Sequence, residues 1–178
     1  MLSIEVFSKQ NKQYIEEATK LILDNFYLTN KDDVKEEVLR CLSEERVAFA
    51  AVIDDHLIGF IGAIPQYANT GWELHPLLVS KAYRFQGIGT LLVRAVEKEI
   101  ALRGGVMIYL GSDDVEDKTT LSNTDLYQNT YTKIENIKNL SKHPYEFYEK
   151  LGYKIVGVIP DANGIGKPDI IMAKQIKK

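Results

Sequence analysis

The chain has 178 residues, of which 45% are hydrophobic and 26% charged, and this composition fits one globular domain rather than a disordered, collagen-like or coiled-coil protein. Its net charge of −3 is unfavourable for general binding to nucleic acid, and its one cysteine, Cys41, excludes an internal disulfide and a cysteine-rich metal site. Because it shows neither an apolar run long enough for a membrane helix nor a signal-peptide pattern, we expect a single-domain cytoplasmic protein without membrane or nucleic-acid partners.

The N-terminal part of the chain predicts one strand and two helices. Weak alternation of apolar and polar residues predicts a strand from Met1 to Phe7. Apolar side chains at helical spacing predict a helix from Tyr14 to Phe26. After a polar break, Asp32 or Asp33 is expected to cap a second helix, because a carboxylate oxygen can accept hydrogen bonds from the first backbone N–H groups.

Three predicted strands follow. Arg46 to Ile53 has the pattern of a buried strand, and His56 to Ile64 predicts its hairpin partner, which Pro65 should end. Gly71 to Ser80 predicts the third strand. This strand contains Pro76, which cannot donate a hydrogen bond to a neighbouring strand, so we expect a bulge or a splayed pairing there.

A loop with two glycines, Arg84-Phe85-Gln86-Gly87-Ile88-Gly89, opens a long amphipathic helix from Thr90 to Arg103. Glycines let the backbone approach a ligand, while the helix N-terminus and Arg84 attract negative charge. The loop therefore predicts a pyrophosphate pocket, although a plain glycine turn is about equally consistent with it. It lacks the Gly-Lys-Ser/Thr ending of a P-loop, and Leu92 stands where a dinucleotide fingerprint has its third glycine.

The C-terminal part of the chain contains a long polar stretch between core elements. The residues from Gly111 to His143 are mostly polar, with one plausible helix around Thr130 to Leu140. Such a length is more often functional than idle, and we count about residues 112–143 as an insertion. The remaining elements complete an α/β or α+β layer around one mixed sheet: a strand at Val106 to Leu110, a helix started by Pro144 and ended by Gly152, and strands at Tyr153 to Pro160 and Asp169 to Lys174.

Longer motifs accompany the glycine loop. They are GFIGAIPQY from Gly59 to Tyr67, GWELHPL from Gly71 to Leu77 and HPYEFYEKLGY from His143 to Tyr153. Together with Arg-x-x-Gly-x-Gly, they resemble the GNAT N-acetyltransferase superfamily of acetyl-CoA-dependent enzymes, and within it the aminoglycoside 6′-N-acetyltransferases of Gram-positive bacteria. The resemblance covers most of the chain, from about Arg46 to Lys174.

This resemblance implies a GNAT-like fold, in which helices flank a mixed, mostly antiparallel sheet of about six or seven strands. Acetyl-CoA would lie between two splayed parallel strands, Trp72 to Ser80 and Met107 to Leu110. Members of such families are typically homodimers, so a homodimer is expected. The coenzyme would be held by the end of the first of these strands and by the glycine loop: Leu77, Leu78, Val79, Arg84, Phe85, Gln86, Gly87, Ile88, Gly89 and Thr90.

Acetyl transfer from a thioester to an amine requires a neutral amine, a polarised carbonyl and a stabilised thiolate. Glu73, His75 and Leu77 share one side of their strand at period two, and the resemblance implies that this side borders the cleft. Glu73 would accept the proton of the amine, His75 would relay a proton or donate a hydrogen bond, and the Leu77 backbone N–H would face the thioester oxygen. Tyr148 corresponds to a family tyrosine that points at the coenzyme sulfur, where it would contact the coenzyme and stabilise the thiolate.

Five acidic residues and one base, Lys118, lie between Ser112 and Tyr127. An acidic wall would attract a polycationic amine, although a solvated loop is about as consistent with the pattern. Three aromatic residues, Tyr67, Trp72 and Tyr127, could stack on sugar rings, although buried aromatics are the usual explanation. The predicted substrate contacts are Phe26, Tyr67, Trp72, Glu73, Asp113, Asp114 and Glu116.

Two other functions stay open on the sequence. The stretch from Asn25 to Asn30 has Phe26 where the aminoglycoside family is expected to carry tryptophan, and it lacks the acidic residues expected to follow; this favours another amine, such as a polyamine or a protein N-terminus. A non-catalytic acyl-CoA-binding sensor is favoured if Tyr148 and Glu73 point away from the thioester. Metal catalysis is not expected, because the histidines show no ligand spacing: His56, His75 and His143.

Overall fold

The structure is a computed structural model that describes residues 1–25 and 30–177. The chain forms two compact units, which are Met1–Ile108 with Ile176–Lys178 and Tyr109–Gln175. We call them the first and the second unit. None of the helices in the described ranges has the length and apolar character needed to cross a bilayer. The expectation of a single domain with an insertion stays a prediction.

Seven strands, five α-helices and two short 3-10 helices, Tyr67–Asn69 and Lys81–Tyr83, make up the described fold. The strand order is β1-β2-β3-β4-β5-β7-β6, mostly antiparallel with β4 and β5 as the one parallel pair, which confirms the predicted fold class. The elements are β1 (Leu2–Val6), α1 (Lys12–Leu23), α2 (Lys31–Cys41), β2 (Val47–Ile53), β3 (His56–Gln66), β4 (Gly71–Val79), α3 (Ile88–Leu102), β5 (Met107–Asp113), α4 (Thr130–Glu135), α5 (Tyr145–Lys150), β6 (Lys154–Ile159) and β7 (Asp169–Gln175).

The core of the first unit joins the two N-terminal helices to the strands beneath them. Helix α1 buries Ile15, Ala18 and Ile22, which recur at helical spacing, and α2 buries Val34 and Val38. These side chains belong to one apolar cluster with residues of β2, β3 and β4. Each fully buried aliphatic side chain contributes roughly 1.5–3 kcal/mol, so this shared face fixes both helices on the sheet.

The cap of α2 differs from the sequence-based expectation. Asn30, rather than Asp32 or Asp33, is the N-cap residue, and its side chain accepts from the Asp32 N–H (3.0 Å) and the Asp33 N–H (3.4 Å). The two aspartates instead lie in the first turn, where their charge favours the positive end of the helix dipole. The helix therefore begins two residues earlier than a cap at Asp32 would allow, and three residues earlier than a cap at Asp33.

Strand β3 continues through Pro65 to Gln66, so the expectation that Pro65 ends this strand is wrong. Pairing between β2 and β3 stops at Val47 and Ala63, whereas Pro65 still pairs with Trp72 of β4. On the side of β2, Pro65 thus has no neighbouring strand that requires a backbone N–H donor, which proline lacks. A proline is tolerated at such an edge position because no ladder hydrogen bond is lost.

The second unit is built around the antiparallel pair β6–β7 and includes the end of β5. Strand β5 runs three residues past its predicted end at Leu110. The short helices α4 and α5 lie within the second unit. The core is apolar and aromatic, and its buried members include Leu110, Leu121, Leu126, Tyr145, Tyr148, Leu151, Tyr153, Ile170 and Met172.

Candidate active site

Strand β4 of the first unit carries three of the predicted catalytic residues. Glu73 and Leu77 are half-buried and His75 is exposed. Their neighbours Trp72 and Leu74 are buried. The alternation separates Glu73 from the side that carries Trp72 and Leu74. Leu77, however, pairs with Ile61, which lies on the same side of β3 as Ala63, the partner of Leu74. The prediction that Glu73, His75 and Leu77 share one side of the strand is therefore wrong for Leu77, because a bulge shifts the alternation. Their roles toward a substrate stay predictions.

The predicted bulge in β4 is confirmed. Ala63 pairs with Leu74, but Ile61 pairs with Leu77, so β4 places two residues opposite Gly62. One of them is Pro76, which follows His75 through a cis peptide bond. A Cβ at Gly62 would lie 2.7 Å from the His75 carbonyl oxygen, so only glycine allows the two backbones to approach this closely.

Glu73 has a nearby polar partner on the preceding strand. The Gln66 side-chain amide donates to Glu73 Oε2 over 3.3 Å. Tyr67, the next residue, is 70% exposed and starts a short turn in which three consecutive residues have positive φ. The Tyr67 carbonyl accepts from the Thr70 backbone N–H (3.2 Å) and hydroxyl (2.7 Å), which fixes this turn. Tyr67 is therefore held beside the strand end that carries Glu73.

Trp72 does not offer a surface to a substrate. Its side chain is only 2% exposed, its indole N–H donates to the Asn69 carbonyl (3.0 Å), and the Arg103 guanidinium lies 6.0 Å from its ring centre. This geometry gives Trp72 a structural role in place of the expected sugar stacking. The other aromatic residue assigned to the substrate, Phe26, lies outside the described residues.

The glycine loop has the backbone geometry expected of an anion pocket. Gly87 is the N-cap of α3 with φ of 83°, a conformation that favours glycine. In the described structure, the first turn of α3 contains no acidic residue and no side chain caps it. The N–H groups of Ile88, Gly89 and Thr90 lie at the positive end of the helix dipole, where they suit a phosphate group.

Three exposed residues precede Gly87 in this loop: Arg84, Phe85 and Gln86. The Gln86 side-chain amide donates to the Ala82 carbonyl (3.2 Å). Phe85 is 97% exposed and has φ of 61°. Arg84 donates from Nε to the Val79 carbonyl (3.0 Å) and from Nη2 to the Asn25 side-chain oxygen. Sequence reasoning did not find Asn25, because it lies 59 positions from Arg84 and belongs to no motif.

In the second unit, Tyr148 lies on α5 and is 8% exposed. Its ring makes edge contacts with Phe147 (4.9 Å between ring centres) and Tyr153 (5.7 Å). Burial raises the pKa of Tyr148 well above its ordinary value of 10.0. The hydroxyl therefore stays protonated across the physiological range and can act as a hydrogen-bond donor, but not as a strong acid.

His143 holds the start of α5 and was assigned no role from the sequence. It is 2% exposed, and burial lowers its pKa. Nδ1 accepts from the Tyr145 backbone N–H (3.2 Å), so the neutral ring carries its proton on Nε2, which donates to the Asp113 carbonyl (3.2 Å). This ring links the end of β5 to the helix that carries Tyr148. Its place as the first residue of the HPYEFYEKLGY motif was the only signal in the sequence.

Asp114, in the polar stretch, is fully buried. Its carboxylate accepts from the backbone N–H groups of Lys118 (2.6 Å) and Thr119 (2.8 Å) and from the Ser122 hydroxyl (2.7 Å). Burial would raise the pKa of Asp114, but these hydrogen bonds outweigh it and lower the pKa. The geometry thus favours a structural role for Asp114 over contact with a substrate.

The other acidic residues of this stretch are exposed, but most of them have partners. Asp113 accepts from the Asn163 amide (2.6 Å), and Glu116 forms an ion pair with Lys118. Asp117 forms an ion pair with Lys167 (2.7 Å). The pairing with lysines weakens the negative field that the count of acids suggested. Asp113 and Glu116 remain predicted substrate contacts.

Comparisons with known proteins agree on one family. Residues 13–131 match the model of the acetyltransferase (GNAT) family. Among solved structures, an aminoglycoside 6′-N-acetyltransferase complexed with coenzyme A is 53% identical, with a TM-score of 0.96 over 99% of this chain and 98% of that chain. The aminoglycoside 6′-N-acetyltransferase from Enterococcus faecium is also 53% identical, with a TM-score of 0.93 over the same shares of the two chains.

A further solved structure, of an aminoglycoside 6′-acetyltransferase type Ii, is 45% identical, with a TM-score of 0.78 over 99% of this chain and 98% of that chain. A comparison with curated protein sequences gives no match.

Proposed function

Because the chain belongs to the acetyltransferase (GNAT) family, we propose that it is an acetyl-CoA-dependent N-acetyltransferase that modifies the 6′-amine of aminoglycosides. The observation that carries this proposal is the similarity, over nearly the full length of the chain, to aminoglycoside 6′-N-acetyltransferases, one of them complexed with coenzyme A. The loop at the start of α3 supports the same coenzyme, because it combines free N–H groups with the Arg84 cation.

Coenzyme A, when bound, supplies an acetyl thioester. Its diphosphate suits the main-chain N–H groups from Gly87 to Thr90 and the guanidinium of Arg84. The acyl-carrying pantetheine arm would contact Leu77, Leu78 and Val79 in β4, as the resemblance implies. The loop fits the diphosphate because it brings no carboxylate into the first turn of α3, where a negative charge would repel the diphosphate.

The reaction joins the amine nitrogen to the acetyl carbon while the carbon–sulfur bond breaks. Glu73 would receive the proton that the amine loses, directly or through water, and the Leu77 N–H would donate to the carbonyl oxygen. His75 is exposed beside them and would donate a hydrogen bond or relay the proton. Tyr148 would donate from its protonated hydroxyl to the leaving sulfur.

We propose an aromatic face and two carboxylates as groups that bind the amine substrate. Tyr67 offers an exposed aromatic face next to the strand end that carries Glu73, and Asp113 and Glu116 offer exposed carboxylates. An aromatic face and carboxylates suit an aminosugar, which has an apolar ring face and ammonium groups.

We also propose that the protein is a cytoplasmic homodimer that confers resistance to aminoglycosides. Strand β6 lies at the end of the strand order, and its Val156 and Ile159 are more than half exposed. An exposed apolar edge strand favours pairing with another chain. Acetyl-CoA is an intracellular metabolite, which supports a cytoplasmic location. Light scattering tests the dimer, and growth of a susceptible bacterium expressing the gene on aminoglycoside tests resistance.

The central experiment is a thiol-release assay with acetyl-CoA and a panel of amines. We expect release with an aminoglycoside that carries a 6′-amine and none with the matched aminoglycoside that carries a 6′-hydroxyl, because only an amine can form the amide. Release with spermidine or a peptide N-terminus alone would instead support a different amine substrate. Binding of coenzyme A with no release from any amine would support a sensor.

A further inference from the structure

The C-terminal end of α1 contacts the segment that enters the coenzyme loop. Asn25 comes directly after Asp24, the C-cap residue of the helix, and its side-chain amide donates to the Leu21 carbonyl (2.7 Å), four residues earlier. The oxygen of the same side chain accepts from Arg84 Nη2. One half-buried side chain thus connects a helix end to the one arginine of the loop.

A second cation reaches the same helix end. Lys81 Nζ lies 3.5 Å from the Asp24 carbonyl oxygen. The carbonyl groups of a helix C-terminus carry partial negative charge and favour nearby cations. Two basic side chains of the loop segment are therefore held by the end of α1, although only Arg84 is held through a neighbouring side chain.

The hydrogen bonds of Arg84 fix its orientation without using all its donors. Arg84 donates from Nε to Val79 and from Nη2 to Asn25. A guanidinium has five N–H groups, so three remain for a ligand beyond these contacts with described residues. Arginine loses considerable side-chain freedom when it binds a phosphate. A contact that orders the guanidinium beforehand removes part of this entropic cost.

We propose that Asn25 is a positioning residue for coenzyme binding, which holds the Arg84 guanidinium in the orientation that receives the diphosphate. The inference rests on the proposed function only in assigning the diphosphate to the Arg84 loop. It does not require that the amine be an aminoglycoside. Asn25 acts through Arg84, so its effect is expected on coenzyme affinity and not on the chemistry of acetyl transfer.

The first test measures the Kd of coenzyme A by calorimetry for Asn25→Ala. We expect binding about tenfold weaker, the loss associated with one hydrogen bond to a charged group. The matched control is Asn136→Ala, because the Asn136 amide also donates to a helix carbonyl four residues earlier, that of Thr132 (2.7 Å). This control should lose comparable helix stability without changing the Kd.

The second test asks whether Asn25 acts through Arg84. In an Arg84→Ala background, adding Asn25→Ala should leave the Kd of coenzyme A unchanged. Turnover of S-acetylpantetheine, which lacks the diphosphate, should be equal in wild type and Asn25→Ala. Should Asn25→Ala not fold, Asn25→Ser replaces it, because a serine hydroxyl can still donate to the Leu21 carbonyl but is too short to reach Arg84.

Three results would overturn the inference. The first is an unchanged Kd of coenzyme A in Asn25→Ala, and the second is an equal weakening of this binding by Asn25→Ala in the presence and in the absence of Arg84. The third is a loss of turnover in Asn25→Ala that is as large with S-acetylpantetheine as with acetyl-CoA. An unchanged Kd in Arg84→Ala would overturn it too, together with the diphosphate assignment. Absence of aminoglycoside acetylation alone would refute the proposed function and leave these binding results to support the positioning role.

Discussion

Glu73 is the predicted acceptor of the amine proton, and its replacement should slow turnover only in part. We expect Glu73→Ala to lower kcat about a hundredfold, because one general base contributes roughly 10²–10⁴-fold, whereas positioning the amine can contribute roughly 7–11 kcal/mol. Steady-state kinetics over a range of pH provides the measurement. Gln66→Ala is the matched control, since it removes the partner of Glu73 but keeps the carboxylate. Complete loss of activity at every pH in a folded variant would contradict this expectation.

Replacing Tyr148 by phenylalanine removes its hydroxyl and keeps the ring that packs against Phe147 and Tyr153. We expect Tyr148→Phe to lower kcat about tenfold, the loss of one hydrogen bond to a developing negative charge, with little change in the Kd of coenzyme A. Tyr145→Phe is the control, since Tyr145 is buried in the same helix. An equal loss of kcat in both variants would mean that the helix, and not the Tyr148 hydroxyl, controls the rate.

Helix α1 is joined to the β2–β3 hairpin by a pair that titrates. His56 Nδ1 lies 2.7 Å from Glu17 Oε1, and the Leu57 N–H donates to Glu17 Oε2 (2.7 Å). The Glu17 hydrogen bond raises the pKa of His56. For Glu17, burial raises the pKa, but the bonds from His56 and Leu57 outweigh it and lower the pKa.

This pair should stabilise the protein only in a limited range of pH. A raised histidine pKa gives stability that is complete below the unfolded value of about 6.5 and is lost as pH rises through the folded value. A lowered glutamate pKa gives stability that is present above about 4.5 and is lost in more acidic solution. We therefore expect thermal denaturation to show that His56→Ala lowers the Tm most between about pH 4.5 and 6.5, and less as pH rises through the raised pKa of folded His56. A pH-independent difference would contradict the ion pair.

The polar stretch after β5 depends on Asp114 for its folding. Replacing Asp114 by alanine leaves two backbone N–H groups and a hydroxyl without their acceptor, and we expect a loss of about 3 kcal/mol in the free energy of unfolding. Asp113→Ala is the matched control, because Asp113 is exposed and accepts only from the Asn163 amide among the contacts described. Denaturant titration provides the measurement. A stable Asp114→Ala variant with a raised aminoglycoside KM would show that Asp114 contacts substrate instead.

The charge of the whole chain should affect capture of a cationic substrate. With a net charge of −3 and exposed carboxylates at Asp113 and Glu116, we expect the aminoglycoside KM to rise with added salt, because salt screens long-range attraction. The kcat should change less, since the bound amine is held by contacts at close range. A substrate with a single amine serves as the control. A KM that does not depend on salt would argue against electrostatic capture.

Most secondary structure could be predicted from the sequence, because periodicity and turn residues act over a few positions. The errors came where tertiary neighbours decide. Pro65 remains in its strand because β2 has already ended. In α3, Leu91 is 45% exposed although its neighbours Leu92 and Val93 are buried. Adjacent apolar residues leave the angle of a helix face uncertain until a sheet packs against it.

The amino-acid sequence was sufficient to predict the family and the fold class, and it located the glycine loop at the start of α3, because glycines, a helix start and an arginine at fixed spacing are local features with a direct physical meaning. Only the tertiary structure decided which side chains are buried and which distant residues are in contact. Trp72 and Asp114 are buried, while the Asn25 side chain accepts a hydrogen bond from Arg84, 59 positions away. Burial and distant contacts arise only when separate segments pack together, so no local pattern contains them.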